Sequence, residues 1–180
     1  DDPCDSLIHH KNLKKSDLST KILPTWRPDK SMGVESTERF GEYIQKLTVA
    51  CGFDIRNFND YRDAIKNRHD FFASTGCKLS DHGIEEFYAE ECDDKEAADI
   101  FNKVYNEKRD LTQREIQKFK SKMLFENAVM NCEKGWTQQF HFGAIRNNNT
   151  KMFQKIGADT GYDSINDLSG LASSMACFFD

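Results

Sequence analysis

Three short β-prone runs, Lys21 to Trp26, Cys77 to Ser80 and Thr137 to Ile145, are separated by long stretches with helical apolar spacing. Strand, helix and strand in repetition favour parallel strands joined by crossover helices, because parallel neighbours cannot be linked by a tight hairpin. Between the first two runs, Ser36-Thr37-Glu38-Arg39-Phe40 opens a helix with Phe40, Tyr43, Ile44 and Leu47 on one face, ended by Gly52. A second helix starts at Asn59 or Asp60 and carries Tyr61, Ile65 and Phe72. The gap from Ile84 to Cys132 is too long for one crossover helix of about 11 residues and must hold several. Ala97, Ile100, Phe101 and Val104 mark one of them. Thr112-Gln113-Arg114-Glu115 reads as the capping box of another, which buries Ile116, Phe119, Met123 and Leu124. An insert of this kind fits an elaborated outer layer better than a lid or an oligomer contact.

Charge and composition remove several classes of function. Twenty-five Lys and Arg against 30 Asp and Glu give a net charge of -5, with both signs interspersed, which argues against a nucleic-acid or anionic-membrane surface. No apolar run approaches the ~18 residues of a membrane helix, and no charged-then-apolar leader opens the sequence. The six cysteines, Cys4, Cys51, Cys77, Cys92, Cys132 and Cys177, form no C-x-x-C pair and read as buried reduced thiols. Asn148-Asn149-Thr150 is a formal glycosylation triplet, common by chance. There is no glycine-rich phosphate loop and no G-x-S-x-G elbow, so nucleotide-dependent and serine-esterase chemistry lose support.

Polar chemistry gathers where the β-prone runs end. The third run closes in His141-Phe142-Gly143-Ala144-Ile145-Arg146-Asn147-Asn148-Asn149, and side chains at strand carboxyl ends are where parallel α/β folds handle ligands. A neutral imidazole at that position suits a divalent metal or a hydroxyl, although a lone histidine is more often structural. Strand alternation puts His141 with Gly143 and Ile145, opposite an aromatic face of Phe140 and Phe142 that should pack on crossover helices. Arg27, between Trp26 and the turn Pro28-Asp29, can grip a carboxylate with two parallel hydrogen bonds; the plainer reading is a local Arg27–Asp29 ion pair. Asp81 can accept from sugar hydroxyls or exchange a proton, or it caps a helix starting at Ile84. His82 stands behind it, and Gly83 leaves room for close approach. Asn147 and Asn149, in a glycine-punctuated loop to Asp163, can bind hydroxyls or simply form turns.

Taken together, Leu23-Pro24-Thr25-Trp26-Arg27-Pro28-Asp29, Lys78-Leu79-Ser80-Asp81-His82-Gly83, Gly135 to Asn149 and Gly157-Ala158-Asp159-Thr160-Gly161-Tyr162-Asp163-Ser164 resemble the uronate isomerases. The opening Asp1-Asp2-Pro3, Asp5-Ser6-Leu7 and His10 are similar to the same family, so the likeness runs over the whole sequence. It implies an α/β fold, a partial (β/α)8 TIM-type barrel with a helix-rich insertion at about 84–134. It further implies aldose–ketose isomerisation of glucuronate to fructuronate, or galacturonate to tagaturonate, by a cytoplasmic homo-oligomer acting on a small-molecule uronate. Asp81, His141 and Arg146 take catalytic roles in that picture, and Arg27, Arg146, Asn147 and Asn149 bind substrate. The intact enzyme would carry one divalent metal, zinc or similar, with His141 as a candidate ligand. An amino-terminal His-x-His strand and a late-strand Asp beyond this sequence would complete the metal site, and the latter would supply the base.

A complete barrel needs about 250 residues, so the 180 residues are expected to be an internal piece of one barrel domain that is inactive and metal-free in isolation. Two other functions stay open. A metal-dependent hydrolase on the same barrel is compatible with the architecture, since fold does not fix reaction. A non-catalytic helical interaction domain would use the charged helices of 84–132 and leave the strand-end cluster unexplained.

Overall fold

A computed structural model describes residues 1–180. A short helix α1, Ile8–Leu13, precedes an irregular stretch to Trp26 and a 3₁₀ turn, Asp29–Met32. Helices α2, Thr37–Cys51, and α3, Phe58–Thr75, then lead into strand β1, Leu79–Gly83. Next come α4, Asp94–Phe101, prolonged by a π turn Asn102–Asn106, and α5, Gln113–Glu133. The chain continues through β2, Thr137–His141, β3, Ala144–Ile145, α6, Thr150–Ile156, β4, Ser164–Ile165, and α7, Leu171–Phe179. The molecule is mixed α/β and rich in helix. No helix is long and apolar enough to cross a membrane.

The helices begin and end where local chemistry dictates. Ser36 accepts from the Arg39 amide to cap α2, and Gly52 closes that helix at φ 82°, a conformation that disfavours any residue with a Cβ. Asn57 caps α3 by accepting from the Asp60 amide, so this helix starts at Phe58, slightly ahead of the expected Asn59 or Asp60. Reciprocal capping boxes join Asp93 with Glu96 and Thr112 with Glu115. The apolar faces of α2 to α5 meet in an aromatic cluster in which Phe40 lies 6.0 Å from Phe119 and 5.9 Å from Tyr61, edge to face. Phe58 and Phe101 complete it. Such pairs contribute about 0.5–1.5 kcal/mol each beyond the area they bury.

Strands β1 and β2 pair in parallel from Leu79 opposite Thr137 to Gly83 opposite His141, as the strand–helix–strand order anticipates. The boundaries differ in three places. The run Lys21–Trp26 is no strand; it shrinks to a single parallel bridge between Trp26 and Ser80. The second strand begins at Leu79 and extends to Gly83, placing Asp81 and His82 within it; no helix starts at Ile84, and Asp81 caps nothing. The third run breaks after His141, where Gly143 at φ 87° turns the chain, and Ala144–Ile145 pairs instead with β4 in a separate antiparallel ribbon. Two elements, α4 and α5, fill the long crossover. Helix α5 lies directly on the sheet: Asn127 accepts from the Trp26 indole at 2.8 Å, and Asn131 donates to the Ser80 hydroxyl at 2.9 Å.

The cysteines are all free, as expected, but only Cys77 is buried, and Cys132 and Cys177 are exposed. Burial, reinforced at Cys4 by nearby Asp2, pushes the Cys4 and Cys92 thiols up to about 11.

Candidate functional site

The register of the sheet sorts its side chains onto two faces. Trp26, Ser80, His82 and Phe140 face the helices: Trp26 packs edge-on against Phe72 and His69, and His82 stacks on Phe140. The aromatic face of β2 is covered, although not by the crossover helices that were expected: Phe87 of the connecting segment lies at 5.0 Å from Phe140 and Phe178 of α7 at 6.1 Å. Arg27, Asp81, Gln139 and His141 fall on the opposite, uncovered face.

There they form one hydrogen-bonded constellation. His141 Nδ1 lies 2.8 Å from Asp81 Oδ1, and its Nε2 lies 3.3 Å from Arg27 Nη2. A guanidinium can only donate, so Nε2 is the acceptor and the ring proton sits on Nδ1, donated to Asp81. Gln139 Nε2 donates to the same Asp81 oxygen at 3.1 Å, and Arg27 Nη1 stands 3.8 Å from Asp81 Oδ2. Arg27 Nε donates to Asp29 Oδ2 at 3.0 Å, so the local ion pair exists beside the reach toward His141, not instead of it. The Arg27 side chain is 47% exposed and His141 41%, which leaves both open to a ligand. Gly83 makes the approach possible: a Cβ there would lie 2.6 Å from both Arg27 Nη2 and His141 Nε2.

Three expected site residues stand apart from this constellation. Arg146 pairs with Asp163 at 2.7 Å, and Asn147, in a left-handed turn, donates its backbone N–H to the same carboxylate at 3.0 Å. Asn149 caps α6 by accepting from the Met152 amide at 3.1 Å. The span Asn147–Asp163, read as a loop, therefore contains a short helix, and local pairing engages the Arg146 guanidinium and the Asn149 side-chain oxygen that sequence offered to substrate. Asn148 Nδ2 of the glycosylation triplet donates to Ser164.

Reading the sequence alone also overlooked Asp29 as anything beyond a local partner, together with Gln139, Asn127 and Asn131. A usable signal existed for the last two, polar residues spaced i, i+4 on the apolar stripe of α5 that includes Met123. As for metal, His141 offers no free ring nitrogen, since Asp81 and Arg27 occupy both, and a cation on Nε2 would abut a guanidinium. No three His, Cys, Asp or Glu side chains gather to hold an ion. The residues of this chain do not fit a metal centre of their own.

Burial sets the electrostatics behind the site. His82, fully buried, is driven down to about 4 by desolvation, against the pull of Asp81. Desolvation raises Asp29 despite the hydrogen bonds from Gly83 and Arg27. Over the whole of residues 1–180 the chain matches the family described as glucuronate isomerase.

The chain belongs to the glucuronate isomerase family. It is 56% identical over 180 residues to the uronate isomerase of Bacteroides thetaiotaomicron, covering 100% of this chain and 38% of that protein. To the uronate isomerase of Cellvibrio japonicus it is 46% identical over 168 residues, 93% of this chain and 36% of that one. The crystal structure of uronate isomerase from Thermotoga maritima superposes with a TM-score of 0.90 at 32% identity, covering 99% of this chain and 39% of that one. Glucuronate isomerase from Caulobacter crescentus gives 0.81 at 26% identity, covering 97% of this chain and 36% of that one. The chain thus spans well under half the length of the family members it matches.

Proposed function

We propose that the protein, at the full length of its relatives, isomerises hexuronates between aldose and ketose, glucuronate to fructuronate and galacturonate to tagaturonate. The observation that carries this is the Arg27–His141–Asp81 constellation on the open sheet face. The Arg27 fork suits the uronate carboxylate or a developing oxyanion, and the Asp81–His141 pair suits sugar hydroxyls. The reaction moves a proton from C2 to C1 through an enediolate, whose charge the guanidinium offsets. We place the base, and the ligands of any divalent metal, outside residues 1–180. Arg146, Asn147 and Asn149 enter the proposal only through movement of the 144–165 ribbon, because their present partners lie within it.

The parallel β1–β2 pair, with α5 on one face and the polar cluster on the other, supports a segment of a (β/α)8 barrel whose interior is the open face. Exposed surface agrees with that. The chain shows 10881 Å², against about 8900 Å² for a compact monomer of 20.8 kDa, so some of it is left for further chain or a second copy to cover. Exposed Phe125 and Phe179 on either side of Phe178 support a homo-oligomer, and six free thiols a cytoplasmic setting.

Kinetics of the full-length enzyme test the reading. Arg27→Lys keeps the charge and loses the fork, which should lower kcat/KM roughly ten- to hundredfold, equivalent to about 1.5–3 kcal/mol. His141→Asn should lower turnover about 10²-fold while the protein stays folded. Wild-type rates in both, or a wild-type enzyme that cleaves amides or esters and ignores uronates, would refute it.

A further inference from the structure

We propose that Asp29 is a positioning residue which, backed by His82, locks the Arg27 guanidinium in the orientation that faces substrate. Asp29 opens the 3₁₀ turn immediately after Pro28. Its Oδ2 accepts from Arg27 Nε at 3.0 Å and from the Gly83 amide at 3.0 Å, so one oxygen fastens the Arg27 side chain to the end of the neighbouring strand. Engaging Nε fixes the plane of the fork and leaves both terminal nitrogens pointing at Asp81 and His141. A surface ion pair would not do this, since its two partners stay mobile and contribute little. Here the carboxylate is only 23% exposed and is tied to backbone.

The other oxygen supplies an independent observation. Asp29 Oδ1 is buried without a partner, and so is His82 Nδ1; the two face each other across 3.9 Å. The opposite ring nitrogen fixes the direction of this contact. Asn131 donates to Ser80 Oγ, which frees the Ser80 hydroxyl proton for His82 Nε2 at 3.1 Å, while Gln138 Nε2, a donor only, stands 3.3 Å from that nitrogen. Nε2 is therefore the acceptor, and Nδ1 carries a proton aimed at the unpartnered Asp29 oxygen. An approach of about 1 Å makes a charge-assisted hydrogen bond. A turn after proline needs no buried carboxylate; an arginine that must not swing does. Desolvation works against the charges of both groups, raising Asp29 and lowering His82, so each is held where solvation alone would not keep it.

The kinetic arm of the test rests on the uronate reading, and the structural arm does not. In the full-length enzyme, Asp29→Ala should lower kcat/KM tenfold or more, chiefly by raising KM, and Asp29→Asn, which keeps an acceptor, should recover part of the loss. Because Asp29 acts through Arg27, the double variant Arg27→Ala/Asp29→Ala should be within about twofold of Arg27→Ala alone. Losses that multiply would overturn the proposal. A crystal structure of Asp29→Ala should show an unchanged fold with the guanidinium displaced from His141; an unmoved guanidinium would equally overturn it. Should the wild-type enzyme not turn over uronates, the functional reading fails while the crystallographic result still decides the role of Asp29.

Discussion

At the scale of single residues, a histidine held between a donor and an acceptor is fixed in both tautomer and plane. His141 gives its Nδ1 proton to Asp81 and receives from Arg27, so replacing either neighbour frees one ring nitrogen and loosens the ring. This crowding makes Gly83 a sensitive position. Gly83→Ala would place a methyl 2.6 Å from both Arg27 and His141, so the guanidinium and the stiffer imidazole must both shift. The expected outcome is a kcat/KM at least tenfold lower with a nearly unchanged thermal midpoint; full activity would show that the ring does not need its present place. Arg27, Asp81 and His141 could be singled out in sequence because each lies in or beside a short β-prone run, with the family resemblance favouring a site role over the plainer local readings of Arg27 and Asp81. Asp29, Asn127 and Asn131 were not, since their meaning lies in partners far along the chain, such as the Trp26 indole that Asn127 holds from 101 residues away.

Among the elements, the long helices α2 to α5 announced themselves through caps and apolar spacing, while the short α1 and α6 did not, and strands did so poorly. Lys21–Trp26 has β-prone composition, yet one bridge to Ser80 is all the pairing it finds. Thr137–Ile145 reads as continuous, but the positive φ of Gly143 divides it between two sheets. The capping box of α5 was readable and is electrostatically consequential. Lys103, on the π turn, binds both Glu115 oxygens at 2.9 Å, and with the Thr112 amide holds that carboxyl down to about 2, below its ordinary 4.5. The unfolded chain thus takes up the proton first, so this contribution is complete above pH 4.5 and is lost as pH falls toward about 2. Glu115→Gln should cost about 0.5–2 kcal/mol in denaturant unfolding at pH 7 and almost nothing near pH 2. An equal cost at both would remove the charge from the explanation.

Over the whole molecule, two buried imidazoles make the fold sensitive to acid. His69 packs 4.1 Å from Trp136 with Nε2 on Asn131, and desolvation lowers it below its usual 6.5, as it lowers His82 to about 4. Protons bind the unfolded chain first, so stability falls as pH drops from 6.5 toward 4. Asp29, raised by burial, works in the opposite direction, one group against two. The thermal midpoint should therefore decline between pH 7 and 4.5, and His69→Gln, which keeps a donor for Asn131, should flatten part of that decline. A midpoint that does not change over this range would contradict the assignment.

The sheet joins segments that lie far apart along the chain, which gives the site a place in time. Its contacts span 60 residues from Asp81 to His141 and 114 from Arg27 to His141, while the capped helices close over a few residues each. Loop closure makes distant contacts slow, so helices should form first and the constellation last. With Trp136→Phe leaving Trp26 as the reporter, far-ultraviolet circular dichroism should recover ahead of fluorescence during refolding; coincident traces would disprove that order. Until the last step, the chain is a set of helices with its arginine, aspartate and histidine still unacquainted.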